Sequence, residues 1–398
     1  MKVLVVNAGS SSLKYQIIDM ETEKMICKGL VEKIGLEGSA LTHKVDGKEK
    51  ALVIKKEINN HTEALKVVIS ALTDEEFGVI SDVSEINAVG HRVLHSGEDF
   101  KESVVIDDEV IKICKKNAVL GPLHMPANIA CIESCREVMP NTPMVAVFDT
   151  GFHQTMPDYA YMYAIPYQYY EKYQIRKYGF HGTSHKFVAG EVAKFLGTEK
   201  SRVITCHLGN GSSLCAIKDG KCIDTSMGLT PLEGMVMGTR SGDLDPAVVE
   251  YLGKCEDMDS SEALHILNKE SGFKGICGKS DFRDVEEMAE NGVEKARLAV
   301  DMFAYRVRKY IGSYYAALGG LDCIVFTGGI GENSDYGRAQ IMKGLECFGV
   351  DFDFEKNKSA QKGKFNVLSK PESKVKVVVI PTNEELVIAR DAVRLTAK

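Results

Sequence analysis

Lys2-Val3-Leu4-Val5-Val6-Asn7-Ala8-Gly9-Ser10-Ser11-Ser12-Leu13-Lys14 opens the chain. An unbroken apolar run of this length reads as a buried strand, and the small polar residues after it as a turn. Leu13-Lys14-Tyr15-Gln16-Ile17-Ile18 then alternates, so the segment is predicted to be a hairpin closed by a small-residue loop. Half a chain later, Arg202–Cys206 is another apolar strand, running into His207-Leu208-Gly209-Asn210-Gly211-Ser212-Ser213-Leu214. Gly9-Ser10-Ser11-Ser12-Leu13 matches Asn210-Gly211-Ser212-Ser213-Leu214, and each lies between two strands. The match predicts an ancient duplication.

The 398 residues suit two or three domains. Lys and Arg number 49 against 56 Asp and Glu, a net charge of -7, which argues against a nucleic acid or an anionic membrane as the main partner. A local arginine cluster can still take an anionic small molecule. Apolar stretches fall far short of the ~20 residues of a membrane span, and MKVLVV breaks at once into Asn7-Ala8-Gly9, unlike a signal peptide. The 11 Cys form no CxxC pair; Cys131 and Cys135 are one helical turn apart, without a zinc-like set of four ligands. Reduced thiols in a cytoplasmic protein are the simplest reading.

Strands and helices alternate along the rest of the chain. Residues 60–72 place Leu65, Val68, Ile69 and Leu72 at helical spacing. Ile86–Val89 is strand-like and leads into Gly90-His91-Arg92, residues 107–118 and 124–137 read as helices, and Met144–Phe148 is a buried strand ending at Asp149. Helices are predicted near 246–253, 260–270 and 283–318. A strand over 322–326 follows, then a last strand over 375–380 and a helix from Glu384 to Arg394. With no flexible linker, the domain boundaries are predicted to be packed hinges near 149–151 and 381–384.

Three strand ends, at 7–12, 207–213 and 327–333, run into loops of small residues. Such residues leave backbone N–H groups open to an anion. One such loop is an ordinary turn; three, two of them related, point to nucleotide phosphates. The GxxxxGK[ST] and GxGxxG patterns are absent, which counts against P-loop kinases and Rossmann dehydrogenases. Arg92 and Arg240 sit among glycines, and a planar guanidinium suits phosphate or carboxylate, with a surface ion pair as the plain alternative. His181, between Phe180 and Gly182, reads as aimed into a cleft or as a structural histidine; with His185 it lacks the Glu of a zinc protease. Asp149 ends a buried strand, where catalytic and metal-binding carboxylates sit. Glu384 either binds a hard cation or stabilises its own helix start, and Lys14 either reaches a phosphate or faces solvent.

Val5–Lys14 resembles the amino-terminal signature of the acetate kinases, and Phe148-Asp149-Thr150-Gly151-Phe152-His153-Gln154-Thr155-Met156-Pro157 resembles their second signature. The likeness continues through 179–185, 207–213, 327–333 and 381–385, and so spans the chain. The resemblance implies an α/β fold of two duplicated actin-like (ribonuclease H-like) domains with an interdomain nucleotide cleft. Residues 1–149 plus 384–398 would form one domain; 150–383, carrying most of the nucleotide site, would form the other. A homodimer is implied as well.

By the same resemblance, Asn7 and Glu384 hold Mg²⁺ or Mn²⁺. Ser10, Ser12 and Lys14 belong to a first phosphate loop; His207, Leu208, Gly209, Asn210 and Gly211 form a second. Asp281, Phe282 and Arg283, with Gly329, Ile330, Gly331, Glu332 and Asn333, would cradle the nucleoside. Arg92, His181 and Arg240 would surround the phosphoryl group, with Asp149 as the acidic catalytic residue. Leu94, Leu123, Phe180 and Pro231, beside Arg92, would line a small acyl pocket. Leu94 stands where the family often has Val, which trims that pocket, and Ser96 stands where it often has Gly.

The activity so implied is reversible, direct in-line phosphoryl transfer from ATP to acetate, giving ADP and acetyl phosphate, in acetate and acetyl-CoA metabolism. Acetate is ionised at neutral pH and needs no general base. Asp149 is therefore read as orienting Arg92 or a metal-bound water rather than moving a proton. Propionate or butyrate kinase is the alternative within the family, and a non-catalytic ATP-binding sensor the alternative outside it.

Overall fold

A computed structural model describes every residue except Leu123 and Lys398. The chain divides into two compact units: Met1–Phe152 with the segment from Asn383 to the C-terminus, and His153–Thr382.

In the first unit, β1 (Lys2–Ala8), β2 (Ser12–Asp19), β3 (Lys24–Glu32), β4 (Ala40–Val45) and β5 (Leu52–Lys55) pair antiparallel in succession. On the other side of β1, β6 (Ile86–Val93) and β8 (Met144–Phe148) run parallel to it, with β7 (Val104–Val105) at the edge. The order is β5-β4-β3-β2-β1-β6-β8-β7. All of β8 is buried, because an inner parallel strand is covered on both faces and so reads as a continuous apolar run. Parallel neighbours need crossovers, and the helices His61–Leu72 and Met125–Val138 lie in those connections. Their Leu65, Val68, Cys131 and Cys135 share one core with Leu4, Val6 and Ile17.

The helix Glu384–Thr396 returns the end of the chain to this sheet. It packs against β6 at Gly90, where a Cβ would lie 2.4 Å from Cγ2 of Ile388. Only a residue without a side chain allows that approach. The helix start is thereby fixed beside the end of β6.

The second unit repeats the plan. β9 (Arg202–Leu208), β10 (Ser212–Lys218) and β11 (Lys221–Thr225) form an antiparallel meander, β12 (Cys323–Thr327) and β14 (Lys376–Val379) continue in parallel from β9, and β13 (Asn366–Val367) closes the edge. The order is β11-β10-β9-β12-β14-β13. Outward from the first strand, both sheets have the same neighbours in the same senses. This is the duplication in structural form, and the fold is the two-domain actin-like α/β fold.

The ladders correct the sequence alignment of the two loops. Ala8 faces Leu13, whereas Leu208 faces Ser212. The Ser-Ser-Leu match therefore stands two positions out of register; the hairpin is what repeats, not the serine string. Two other expectations change. Residues 327–333 are not a loop, since the helix Gly328–Asn333 begins directly at the end of β12. The predicted helix over 283–318 is two, Phe282–Glu290 and Glu294–Leu318, separated where Gly292 adopts φ +82°. β3, β4 and β5 had no clear periodic signal, their exposed Lys and Glu masking the alternation. No helix of the described residues is long and apolar enough to cross a membrane.

Candidate functional site

Each unit carries its own group of polar side chains at the ends of its central strands. In the first unit, β6 and β8 pair Val93 with Phe148, which brings Asp149, one residue further on, beside Arg92. Nε of Arg92 donates to Oδ1 of Asp149 at 3.0 Å and Nη2 donates to Oδ2 at 2.6 Å. Asp149 is 1% exposed and Arg92 28%. Oε2 of Glu384 lies 4.0 Å from the same Nε. Asp149 above all, with Glu384 and Glu385, holds the Arg92 pKa above its ordinary value against the effect of burial. Burial, with the repulsion of Asp149 and Glu385, pushes the Glu384 carboxyl up to about 7, although Arg92 and Lys14 pull the other way.

Glu384 lies in the first turn of its helix, where a carboxylate favours the helix start, but it is not the cap. Asn383 fills that role, its side chain accepting from the Leu386 N–H at 3.0 Å. Glu384 and Asp149 thus put two carboxylates beside one guanidinium. That surplus of hard oxygen fits a hard divalent cation such as Mg²⁺ or Mn²⁺, and Asn7 at the end of β1 offers an amide oxygen of the same kind. Asn7 faces Lys14 across the β1–β2 ladder, and both line a cavity of about 360 Å³ with Tyr15, Lys28 and Glu385.

Ser10 is exposed and Ser12 half-buried in the β1–β2 loop, which closes through the Gly9 N–H to the Ser12 carbonyl at 2.8 Å. His61 Nε2 braces the loop at the Gly9 carbonyl, 2.8 Å away. Asn128, which sequence reasoning missed, ties the parts together. It accepts from the Leu94 N–H at 3.0 Å and donates to the Ala8 carbonyl at 2.8 Å. Ser96 is structural: its hydroxyl donates to the Phe100 carbonyl at 2.9 Å. Leu123 lies outside the described residues.

In the second unit, His181 caps the helix Gly182–Leu196 in the left-handed region, φ 57°. Nδ1 of His181 lies 2.9 Å from Oγ of Ser213, which is also 2.8 Å from Nε2 of His185; Nδ1 of His185 is 2.7 Å from Oγ1 of Thr205. Burial, then His153 and His207, hold the His185 pKa well below normal, so this ring is neutral. Ser213 has one proton and two lone pairs, so at most one of the two ring nitrogens accepts from it and at least one donates to it. His207 stacks on His181 with centroids 4.3 Å apart and is tied through Ser184 to Thr382. The bridging roles of Ser213 and Ser184 escaped the sequence reading, since a buried bridging serine has no pattern of its own, and His185 was read only as the i+4 neighbour of His181.

Arg240 approaches the same place. A Cβ on Gly211 would lie 3.3 Å from Arg240 Nη1 and 3.5 Å from His181 Nε2, so the bare backbone of the 207–211 loop makes room for both side chains. Nη1 of Arg240 reaches only the Pro231 carbonyl, at 3.4 Å, and the Met237 sulfur. It has no salt bridge among the described residues, and burial lowers its pKa. A half-buried guanidinium without a carboxylate partner is suited to an incoming anion. Phe180 is buried, with its carbonyl held by Nε2 of His153 at 2.9 Å, and Pro231 is half-buried.

Next to this cluster, Gly209, Asn210, Asp281, Phe282, Arg283, Gly329, Ile330 and Asn333 line one cavity of about 930 Å³. Three segments predicted from distant parts of the chain therefore meet around a single space. Two predicted members do not line it. The Glu332 carboxylate accepts from the backbone N–H groups of Gly328 and Thr382, at 2.9 and 3.1 Å, and so braces strand ends instead. Gly331 is buried, its carbonyl accepting at 2.9 Å from buried Arg338, which staples the short helix from behind. Asp281 caps the helix Phe282–Glu290 and holds the exposed Arg283, whose guanidinium keeps the Asp281 carboxyl down at about 2.

An actin-like fold with this nucleotide-sized cavity beside a histidine–arginine cluster defines a phosphotransferase. The model of the acetokinase family matches residues 2–390, and the chain belongs to that family. It is 56% identical over 398 residues to a protein named acetate kinase from Acetivibrio thermocellus, covering 99% of both chains. Among solved structures it resembles an acetate kinase from Porphyromonas gingivalis, with TM-score 0.95, 45% identity and 99% of each chain covered. It also resembles a propionate kinase from Francisella tularensis, with TM-score 0.92, 42% identity and 99% of each chain covered.

Proposed function

We propose that this chain transfers the terminal phosphoryl group of ATP to acetate, giving acetyl phosphate and ADP, and runs the reverse reaction. The observation that carries this reading is the full-length likeness, above half identical, to a protein named acetate kinase. Phosphoryl transfer passes through a loose in-line transition state, so the protein's work is to place reactants and offset charge. Asp149 occupies Nε and Nη2 of Arg92, which locks the guanidinium plane and leaves Nη1 for an anionic oxygen. Arg240 supplies a second cation, and His181, held through Ser213, a donor beside the glycine loop. The cavity bounded by 209–210, 281–283, Gly329, Ile330 and Asn333 takes the nucleoside, and Lys14 and the loop N–H groups of Ser10 and Ser12 serve the phosphates. Mg²⁺ or Mn²⁺, held by Glu384 and Asn7, would neutralise nucleotide phosphate charge. Leu94, Phe180 and Pro231 bound the methyl group of acetate. We place the enzyme in the cytoplasm as a homodimer acting in acetate and acetyl-CoA metabolism.

The test is acyl hydroxamate formation from Mg-ATP and hydroxylamine with acetate, propionate or butyrate. The highest kcat/KM is expected for acetate. A preference for propionate would favour the second reading, which the Francisella tularensis neighbour motivates. ATP binding without acetate-dependent product would overturn both.

A further inference from the structure

Among the described residues the catalytic proposal leaves two buried groups of reactive side chains unused, His91 with Cys131 and Cys135, and His153 with Cys215 and Cys222. In the second unit His153, Cys215 and Cys222 are each 0% exposed, and their ligand atoms lie within 4.8 Å of one another. Nδ1 of His153 is 3.2 Å from Sγ of Cys222 and 3.9 Å from Sγ of Cys215, and the two sulfurs are 3.4 Å apart. A point equidistant from these three atoms is about 2 Å from each, against ~2.0–2.3 Å for zinc bonded to imidazole nitrogen and thiolate sulfur.

The histidine is already set in the tautomer a metal needs. Its Nε2 faces the Phe180 carbonyl at 2.9 Å, and a carbonyl only accepts, so Nε2 carries the proton. Nδ1 thus turns a lone pair toward the two sulfurs. A backbone acceptor behind a ligating imidazole is the usual orienting contact of metal-binding histidines. Burial opposes ionisation of both thiols. At Cys222 the hydrogen bond with Cys215 works against it and lowers the pKa, while Cys215 is pushed up.

We propose that His153 Nδ1, Cys215 Sγ and Cys222 Sγ form a binding site for a thiophilic d¹⁰ cation, zinc or monovalent copper. Soft sulfur with imidazole selects these ions over Mg²⁺, so the site does not compete for the cation of the phosphoryl-transfer reaction. Binding of Zn²⁺ takes both cysteines as thiolates and releases their remaining protons to solvent, leaving a neutral set, which a buried site requires. With Cu⁺ the set is neutral if Cys215 keeps its proton, so proton release distinguishes the two ions. The site lies behind Phe180, the residue before His181.

The experiment uses the full chain, refolded under reductant and without oxygen in the presence of Co²⁺, Zn²⁺ or Cu⁺, then desalted and analysed for metal. One tightly held equivalent is expected, with thiolate-to-cobalt absorption in the near ultraviolet. C222S and C215A should each lose that equivalent, whereas C131S and C135S, altering the separate buried cluster with His91, should retain it. Far-ultraviolet circular dichroism verifies folding of each variant, and H153Q provides a third removal if a cysteine variant fails to fold. A folded C222S or H153Q that keeps the wild-type metal content and absorption would overturn the proposal, as would a folded wild type that retains no metal.

Discussion

Arg92 and Asp149 are joined at two points across neighbouring parallel strands, Nε to Oδ1 at 3.0 Å and Nη2 to Oδ2 at 2.6 Å, with Asp149 almost wholly buried. We read Asp149 from this as the holder of a cation rather than a proton carrier. Replacing it with Asn removes the charge and one side of the clamp, so Arg92 is no longer held in place; on the scale of losing one preorganised donor to the transition state, kcat should fall roughly 10²–10³-fold. The pH–rate profile of Asp149→Asn should keep the shape of the wild-type profile at this lower level. Disappearance of an ionisation seen in the wild type would show that Asp149 moves a proton.

Glu384 gives a pH signature of definite sign. Its folded pKa of about 7 lies above the ordinary carboxyl value. Between the two values the folded protein holds a proton that the unfolded chain has released. Stability from this group is therefore present at the acid end, declines as pH rises toward 7, and stays reduced above. Melting temperatures of Glu384→Gln against wild type over this range should show the difference; parallel curves would refute it. A protonated carboxyl also binds cations poorly, so the Mg²⁺ concentration for half-maximal rate should rise about tenfold per pH unit below 7.

Ser213 holds His181 without touching an anion itself. In Ser213→Ala, His181 and His185 lose their shared hydroxyl, a contact worth ~1 kcal/mol, so kcat should fall about five- to tenfold with KM for acetate nearly unchanged. Steady-state kinetics with a melting curve separates this from general damage. An equal rise in KM would mean that the serine organises acetate binding instead.

Leu94 is held by its N–H on Asn128, and a Cβ on Gly121 would lie 2.6 Å from its Cδ2. Leu94→Val should enlarge the acyl pocket and raise the propionate-to-acetate ratio of kcat/KM up to about tenfold, the scale of one methylene. No change in that ratio would remove Leu94 from the pocket.

The central strands of both units were legible because parallel inner strands are continuously apolar, and the hairpin after each first strand because its turn residues are small. β3, β4 and β5 were not, since one face carries Lys28, Lys44 and Lys55 to solvent and blurs the period. In the site, Arg92, Asp149 and Arg240 stood out by their setting at strand ends and among glycines. Asn128, Ser184, Ser213 and Arg338 did not, because each acts through partners far away in sequence. Glu332 sits within a motif yet braces backbone, a role that sequence position cannot distinguish from ligand contact.

The close packing of Ile388 on Gly90 has a consequence for biosynthesis. The helix that covers β6 and brings Glu384 to Arg92 is made only after the whole second unit. At ~5–20 residues per second, the sheet of the first unit waits roughly 10–50 s for its final layer. During translation Gly90 and its neighbours present an uncovered apolar surface, and Glu384 cannot reach Arg92 until this helix has left the ribosome. A nascent chain stalled before Asn383 would therefore be a ready client for a chaperone.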